Sequence, residues 1–320
     1  MEAEQMTPMN GEVKLFAGTS NPELSREVAK YLNVDLAKIQ VSRFSGGEIY
    51  ARILENIRGK SAYVLQTCTN RVNEDLMELF IIIDALKRAS AKSITAVIPH
   101  YGYARQDKKS ASREPISARL VADLLTTAGI DRIITMDLHS DQIQGFFDLP
   151  VDHLTALPLL ANYFKAKNLK NPVVVAPDTG RAKTAKKFGD RINAPLVILH
   201  KRRPEQQKAE IIHIVGEVKG MTPILVDDMV DTAGTATQGV DTLRKHGCND
   251  EIYFAATHGI LSGPAVERIN KANFKEIVVA DTIPTSDKKI NGLKLVSTAS
   301  LFGEAIKRSY ENQSISSLFD

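Results

Sequence analysis

Short apolar runs alternate along the chain with longer stretches in which apolar residues recur every three or four positions. The short runs are typical of buried strands, and the longer stretches are typical of amphipathic helices. Strands are predicted at Val13–Ala17, Ala62–Gln66, Ile94–Ile98, Arg132–Met136, Val173–Ala176, Leu196–Leu199, Ile224–Val226, Ile252–Ala256 and Ile277–Ala280. Helices are predicted at Asn21–Leu32, Val72–Arg88, Ile116–Ala128, Ala182–Ile192, Thr235–Lys245 and Ala265–Asn270. This alternation predicts an α/β fold with mostly parallel sheets flanked by helices.

The length of the chain, 320 residues, corresponds to about two domains of ordinary size. The segment Leu149–Leu157 contains Pro150 and precedes Pro158, and it separates two halves with a similar order of predicted elements. We therefore predict an N-terminal α/β domain over residues 1–152 and a C-terminal one over residues 153–295. Residues 296–320 are expected to form a C-terminal segment that packs back on the first domain.

The composition excludes several broad classes of protein. Hydrophobic residues make up 43% of the chain and charged residues 25%, which fits a folded globular protein rather than a disordered or membrane-embedded one. The net charge of +3 is too small to indicate nucleic-acid binding. The longest apolar run, Leu79–Ile83, is far shorter than the ~20 residues that span a bilayer. Neither nucleic acid nor a membrane is expected as a partner.

Two further features bear on the location of the protein. Cys68 and Cys248 lie far apart and form no C-x-x-C pair, so neither a disulfide framework nor a cysteine zinc site is expected. The first residues, Met1–Asn10, include acidic side chains and lack the apolar core of a secretory signal. We therefore expect a cytoplasmic protein.

The segment Pro223–Thr235 contains the densest group of candidate functional residues in the sequence. An apolar strand delivers Asp227 and Asp228, and a turn of small residues then opens a helix. Backbone N–H groups of Thr232–Thr235 and the helix N-terminus suit a phosphate, while the two carboxylates suit sugar hydroxyls. The alternative is that these residues only cap the helix, but capping needs one such residue and the segment supplies several.

A second segment with candidate functional residues is basic. His200–Pro204 reads His-Lys-Arg-Arg-Pro after a predicted strand and leads into the polar stretch Glu205–Glu210, a composition typical of a mobile basic loop. On its own, such a cluster is more often a solvated turn than a binding site.

The segment Val226–Thr235 resembles the phosphoribosyl-pyrophosphate loop of type I phosphoribosyltransferases and of ribose-phosphate pyrophosphokinases. Further segments resemble the class I pyrophosphokinases, in the same order, from about Val13 to Phe319. These segments are Arg105–Asp107, Asp137–His139, Gln142–Phe147, Lys201–Pro204 and Ser262–Ala265. The resemblance implies two related domains of the type I phosphoribosyltransferase kind, each with a central, mostly parallel sheet.

The resemblance implies transfer of the β,γ-diphosphoryl group of MgATP to the 1-hydroxyl of ribose 5-phosphate. The products are 5-phosphoribosyl 1-pyrophosphate and AMP, for nucleotide biosynthesis. Lys201 and Arg203 are the implied catalytic residues, on a loop that closes over bound substrates, and Arg203 also contacts ribose 5-phosphate. The other implied ribose 5-phosphate residues are Asp227, Asp228, Asp231, Thr232, Ala233, Gly234 and Thr235.

For ATP, the resemblance implies binding by two segments, one of them reached across a subunit contact. The implied ATP residues are Phe44, Gly46, Gly47, Glu48, Arg105 and Gln106. His139 and Asp178 match metal-binding residues for Mg²⁺ at the ATP phosphates, partly through water. The resemblance also implies a homohexamer, with phosphate and ADP as allosteric effectors.

The chain departs from the family pattern at two places. Gly46 stands where the family commonly has an aspartate, which removes one expected contact to ATP. After Pro177-Asp178 the family often has a Gly-Gly pair and a later arginine, whereas this chain reads Thr179-Gly180-Arg181-Ala182-Lys183. Lys108–Ser112 also differs from the arginine-rich form associated with allosteric control, so regulation is less firmly implied than catalysis.

Two alternatives to the diphosphokinase remain. A phosphoribosyltransferase usually needs one such domain, whereas two are predicted here. A non-catalytic, synthetase-associated regulatory subunit is mildly favoured by Gly46, but it is disfavoured because His139, Asp178, Lys201 and Arg203 are all present. The active enzyme is therefore the preferred interpretation.

Overall fold

The structure is a computed structural model that describes residues 12–202 and 211–318. Its strands are β1 (Val13–Ala17), β2 (Ile39–Arg43), β3 (Ile49–Ile53), β4 (Ser61–Leu65), β5 (Ser93–Ile98), β6 (Arg132–Met136), β7 (Val151–Leu154), β8 (Pro172–Ala176), β9 (Leu196–Arg202), β10 (Ile211–Val215), β11 (Thr222–Val230), β12 (Tyr253–Gly259), β13 (Glu276–Ala280) and β14 (Leu293–Val296). Its helices are α1 (Pro22–Leu32), α2 (Val72–Arg88), α3 (Ser117–Ala128), α4 (Leu157–Lys167), α5 (Ala182–Ile192), α6 (Gly234–Lys245), α7 (Ala265–Ala272) and α8 (Ala299–Tyr310). Short 3-10 turns lie at Asp141–Phe146, Thr179–Arg181 and Ser316–Leu318.

The strands form two large sheets and one hairpin. The first sheet has the order β1-β4-β5-β6-β7, with every pair parallel. The second has the order β10-β9-β8-β11-β12-β13-β14 and is parallel except for the β9–β10 pair. β2 and β3 form a separate antiparallel hairpin. The predicted α/β fold with mostly parallel sheets is confirmed.

Burial along the central strands shows that helices cover both faces of the sheets. In β8 the four residues Val173–Ala176 are consecutively buried, although neighbouring side chains of a strand point to opposite faces. Such continuous burial requires cover on both faces, as parallel sheets have in α/β proteins. Within the described residues, no helix is both long and apolar enough to cross a bilayer.

The chain divides into two compact units, each with one of the large sheets. The first unit runs to Thr155 and takes in Thr282–Pro284 and the segment from Ser297 onward. The second unit comprises Ala156–Asp281 and Thr285–Val296. The chain therefore leaves the first unit, forms the second, and returns to the first with α8.

Helix α8 packs on α1 of the first unit through a close approach. Phe302 and Ile306 are fully buried, and the Tyr31 hydroxyl donates a hydrogen bond to Glu304 Oε2 at 3.0 Å. Gly303 allows this approach, because a Cβ at that position would lie 2.3 Å from Cδ1 of the Tyr31 ring. The absence of a side chain at Gly303 is therefore needed for the packing of α8 on α1.

Gly303→Leu is expected to lower the free energy of unfolding by about 1–3 kcal/mol, because the new side chain overlaps the Tyr31 ring. Urea denaturation measures the change. Lys307→Leu is the control, since it adds the same side chain one turn later on α8 at a partly exposed position. Equal stability of the two variants would contradict this account of the packing.

Candidate active site

Strands β8, β11 and β12 of the second unit all end at the same edge of its sheet. β11 lies between β8 and β12 and is parallel to both, with Leu225 paired to Val175 and Val226 paired to Ala255. The residues that follow β8 and those at the end of β11 therefore lie together at the carboxyl edge of the sheet. This is where open α/β sheets bind ligands.

β11 is longer than the predicted strand Ile224–Val226. It continues to Val230 because β12 runs alongside it, with Val230 paired to Gly259. Asp227 and Asp228 therefore lie within the strand rather than after its end. The ladder fixes their backbone, and the turn begins only at Asp231.

The turn leads into α6 through a left-handed residue. Ala233 has a φ of 59° and is the N-cap of α6, which starts at Gly234. The N-cap residue, Ala233, makes no side-chain capping hydrogen bond to this helix. The backbone N–H groups of the first turn carry the positive end of the helix dipole, which suits an anion.

Two side chains outside the turn hold it in place. Ser262 Oγ donates a hydrogen bond to Asp231 Oδ1, and the Ser262 N–H donates to the Asp231 carbonyl at 3.1 Å. Arg268, on α7, donates from Nη1 to the Thr232 carbonyl at 3.0 Å. The sequence indicated Ser262 only through the resemblance, and Arg268 was missed because a lone helical arginine carries no signal.

The two acidic residues of β11 share one cation, Arg181. Its Nη2 lies 2.6 Å from Asp228 Oδ2, and its Nε lies 3.4 Å from Asp227 Oδ1. Burial and the adjacent Asp228 carboxylate raise the pKa of Asp227 well above its usual value, and Arg181 acts in the opposite direction. Arg181 thus offsets part of the rise in the pKa of Asp227.

The glycine-rich segment Phe44–Glu48 connects β2 and β3 in the first unit. The Phe44 N–H donates to the Glu48 carbonyl at 2.9 Å, and the Gly47 N–H donates to the Phe44 carbonyl at 2.8 Å. Gly47 has a φ of 89°, which favours glycine. The Phe44 ring is 58% exposed and contacts Tyr50 edge to face. This tight turn leaves the aromatic side chain of Phe44 exposed at the surface of the first unit.

The Arg105–Gln106 pair lies in the loop between β5 and α3. Both residues are exposed, and the Gln106 backbone is fixed by hydrogen bonds to Tyr103 and Ala118. Ser117 Oγ donates to Gln106 Oε1 at 2.6 Å, which ties the glutamine side chain to the start of α3. The structure thus places this pair in the same unit as Phe44–Glu48.

Comparison with known proteins identifies the family. A profile described as the N-terminal domain of ribose phosphate pyrophosphokinase matches residues 13–129, and one described as a phosphoribosyl synthetase-associated domain matches residues 204–320. The ribose-phosphate pyrophosphokinase of Caldanaerobacter subterraneus is 52% identical, over 98% of this chain and 100% of that relative. The chain belongs to the ribose-phosphate pyrophosphokinase family. The pyrophosphokinase of Bacillus subtilis is also 52% identical, over 96% of this chain and 97% of its own.

A solved structure supports the same assignment. The crystal structure of phosphoribosylpyrophosphate synthetase from Mycobacterium smegmatis matches with a TM-score of 0.88 and 48% identity. The match covers 94% of this chain and 99% of that one. The pyrophosphokinase fold therefore extends over nearly the whole chain, as the order of the motifs predicted.

His139 of the predicted metal pair follows β6 in the first unit, in a segment braced by His153. His153 Nε2 accepts a hydrogen bond from the Leu138 N–H at 2.8 Å. Burial lowers the pKa of His153, although Asp137 and Asp141 act in the opposite direction. A neutral His153 is required, because only an unprotonated Nε2 accepts a hydrogen bond. His139 is half-buried next to this brace.

The predicted basic loop differs from its expected form. β9 continues through Arg202, so His200, Lys201 and Arg202 belong to the strand instead of a loop after Leu199. The reason is β10, which supplies an antiparallel partner and pairs Ile212 with Lys201. Arg203 lies outside the described residues.

Asp178, the second predicted metal residue, follows β8 in the second unit. Its Oδ1 accepts a hydrogen bond from the Arg181 N–H at 3.1 Å, which starts the 3-10 turn Thr179–Arg181. Over residues 12–202 and 211–318, no group of three or more His, Cys, Asp or Glu side chains is arranged to hold a metal ion. A carboxylate keeps further acceptor sites after one hydrogen bond, so the donor set fits a cation that is also held by substrate phosphates and water.

Proposed function

We propose that this chain is a ribose-phosphate diphosphokinase. The 1-hydroxyl oxygen of ribose 5-phosphate attacks the β-phosphorus of ATP, and the bond from that phosphorus to the oxygen bridging the α-phosphate breaks. The products are 5-phosphoribosyl 1-pyrophosphate and AMP, and the hydroxyl proton is released. The observation that carries the proposal is the Asp227–Thr235 loop, with its carboxylate pair and the start of α6 at Gly234, in a chain that is 52% identical to a pyrophosphokinase over its length.

The ribose 5-phosphate site is proposed at the end of β11. The N–H groups of Thr232, Ala233, Gly234 and Thr235 bind the 5-phosphate at the positive end of α6. The carboxylates of Asp227 and Asp228 accept hydrogen bonds from the ribose hydroxyls. Arg268 and Ser262 donate hydrogen bonds to the turn from other segments. These contacts fix the turn and so support this division of roles. The site thus separates the anion from the acids.

Lys201 and Arg203 are proposed to stabilise the transferring group. Diphosphoryl transfer depends on alignment and on neutralising charge on the phosphoryl oxygens, and these two cations suit that task. Lysine supplies a compact charge, whereas arginine supplies a planar fork that matches phosphate oxygens. The position of Lys201 on β9, next to β8, supports its role at the same edge of the sheet.

Mg²⁺ is the proposed cofactor, and it enters with ATP. When bound, it neutralises charge on the phosphates and helps to align them. Asp178 and His139 are the proposed contacts, and Asp178 is favoured because Mg²⁺ prefers oxygen ligands. Asp178 is held in position by its hydrogen bond from the Arg181 N–H.

The ATP residues are proposed in the first unit. The hairpin turn is proposed to contact the adenine end of ATP, and its residues are Phe44, Gly46, Gly47 and Glu48. Arg105 and Gln106 bind the nucleotide from the β5–α3 loop. The exposed ring of Phe44 supports this role, because a purine stacks favourably on an exposed aromatic face.

Gly46→Asp is expected to lower the KM for ATP about 2–12-fold, because it restores one hydrogen bond of about 0.5–1.5 kcal/mol. The substitution fits, since no heavy atom lies within 4 Å of a Cβ at Gly46. Steady-state kinetics measure the effect. Gly46→Ala is the matched control because it adds the Cβ without the carboxylate. The proposed ATP contact is wrong if both variants have the same KM.

A homohexamer that shares its ATP sites between subunits is also proposed. Helix α3 supports self-association, because Leu120 and Leu124 are 57% and 43% exposed and lie one turn apart on the same face. Phosphate and ADP are proposed as effectors. A cytoplasmic location fits an enzyme that consumes ATP, and nucleic acid and membranes are not proposed as partners.

Leu120→Lys is expected to reduce the assembled mass, because a lysine charge in an apolar interface is costly to bury. Light scattering coupled to size exclusion measures the mass. Leu295→Lys, which changes a leucine that is 51% exposed on β14, should leave it unchanged. Loss of assembly in both variants, or in neither, would contradict a role for α3.

The decisive assay incubates the purified chain with MgATP and ribose 5-phosphate. Equal amounts of AMP and 5-phosphoribosyl 1-pyrophosphate support the diphosphokinase. A phosphoribosyltransferase would instead consume 5-phosphoribosyl 1-pyrophosphate with a base, and a regulatory subunit would do neither. Absence of both products in the presence of Mg²⁺ and phosphate would overturn the proposal.

A further inference from the structure

The Arg181 ion pair occupies the carboxylates to which the proposed function assigns the sugar. Nη2 of Arg181 binds Asp228 Oδ2 at 2.6 Å, and Nε faces Asp227 Oδ1 at 3.4 Å. The arginine side chain is 17% exposed and the Asp228 side chain is 8% exposed. The contact is therefore largely shielded from water, which strengthens it relative to a surface ion pair.

The backbone also holds Arg181 in this place. Its N–H donates to Asp178 Oδ1, so the 3-10 turn Thr179–Arg181 is capped at its start. β8 and β11 are adjacent and parallel, which brings the end of β8 to the acids of β11. The ion pair thus follows from the topology of the sheet and from a capped turn.

A sugar hydroxyl and the guanidinium compete for the same kind of acceptor. Both contacts are charge-assisted by the carboxylate, but the guanidinium adds its own positive charge and a planar fork that matches carboxylate oxygens. A ribose hydroxyl that binds Asp228 must share or replace this contact. Binding of the sugar therefore includes the cost of loosening the arginine.

We propose that Arg181 is an intramolecular competitor for the ribose hydroxyls at Asp227 and Asp228, and that it sets the affinity for ribose 5-phosphate. The inference rests on the proposed function, since it takes these carboxylates as the sugar site. Arg181 is a specificity-determining residue in this account. It favours sugars whose hydroxyls hydrogen-bond well enough to displace it.

The opposite role for Arg181 is that of a phosphate ligand, and the two roles predict opposite effects. A competitor, when removed, no longer contacts the acids, and binding of the sugar tightens. A phosphate ligand, when removed, weakens binding of ribose 5-phosphate and of inorganic phosphate together. The direction of the change in Kd therefore separates them.

The test is isothermal titration of ribose 5-phosphate into the full chain without ATP, at about pH 8.5, chosen because burial and Asp228 raise the pKa of Asp227 above the usual aspartate value of ~3.9. Arg181→Gln is expected to lower the Kd about fivefold or more. Arg181→Lys keeps the positive charge but not the planar fork, so its Kd should lie between those of the unchanged chain and Arg181→Gln. This variant also provides the test if Arg181→Gln does not fold. Lys187→Ala is the control for lost charge, because Lys187 is an exposed lysine of α5.

A second ligand shows whether the hydroxyls are responsible. 2-Deoxyribose 5-phosphate keeps the phosphate but lacks one hydroxyl, so Arg181→Gln should improve its binding less than that of ribose 5-phosphate. A Kd for ribose 5-phosphate that is unchanged or higher in both Arg181 variants overturns the inference. If the unchanged chain neither binds ribose 5-phosphate nor forms AMP, the proposed function itself fails, and the inference fails with it.

Discussion

A Lys201→Ala variant is expected to lose about a thousandfold or more in kcat while it binds ribose 5-phosphate almost as tightly as the unchanged chain. The proposed role of Lys201 is to neutralise charge that develops on the transferring diphosphoryl group. Such an interaction is stronger in the transition state than with either bound substrate, so its loss affects kcat more than binding.

The location of Lys201 makes this expectation specific. The residue lies on β9, whose backbone pairs with β8 on one side and β10 on the other. β8 leads to Asp178 and neighbours β11 with its two acids. The backbone of Lys201 itself pairs with Ile212 of β10, so the proposed catalytic lysine starts from a backbone position within the sheet.

Steady-state kinetics and titration of ribose 5-phosphate together measure the split between kcat and binding. Lys187→Ala, which removes an exposed lysine of α5, should keep near-normal turnover. Lys201→Arg retains the charge on a bulkier group and is expected to recover part of the activity. Near-normal turnover by Lys201→Ala would remove this residue from the proposed role.

Asp228→Ala is expected to weaken binding of ribose 5-phosphate about 10–150-fold. A hydrogen bond between a hydroxyl and a charged carboxylate contributes about 1.5–3 kcal/mol, and each ~1.4 kcal/mol is tenfold in Kd. Asp228 is buried and fixed by β11, so water replaces its carboxylate poorly. The variant also leaves Arg181 with Asp227 as its remaining β11 acid, which keeps the arginine in the sugar site.

Titration of ribose 5-phosphate measures this loss, and Asp241→Ala is the control because Asp241 is an exposed acid on the following helix, α6. Inorganic phosphate should bind Asp228→Ala at least as well as the unchanged chain, since the acid repels the anion. A Kd for ribose 5-phosphate within about threefold of that of the unchanged chain would place the sugar hydroxyls elsewhere.

The sequence predicted those parts of the site whose signal is local. The loop from Asp227 to Thr235 is contiguous, and its strand-turn-helix order was visible in the spacing of apolar and small residues. The Arg181 ion pair was not predicted, because 47 positions separate it from Asp228 and only the strand order brings them together. Contacts made by topology leave no pattern in a single sequence.

The elements that the sequence missed have three different physical causes. β2, β3 and β14 have half-buried or exposed residues along much of their length, so the apolar signal of a buried strand is weak. β7 lies between Pro150 and Pro158, in a segment that was interpreted as a linker. The extension of β9 to Arg202 depends on β10, and no local feature of Lys201 or Arg202 indicates it.

The return of α8 to the first unit has a consequence for synthesis on the ribosome. Roughly 140 residues separate Thr155 from α8, and at about 5–20 residues per second they take roughly 7–30 s to translate. During that interval α1 has emerged without α8, the helix on which Tyr31 packs in the folded chain. The first unit begins to form early but is completed only after the second unit has been translated.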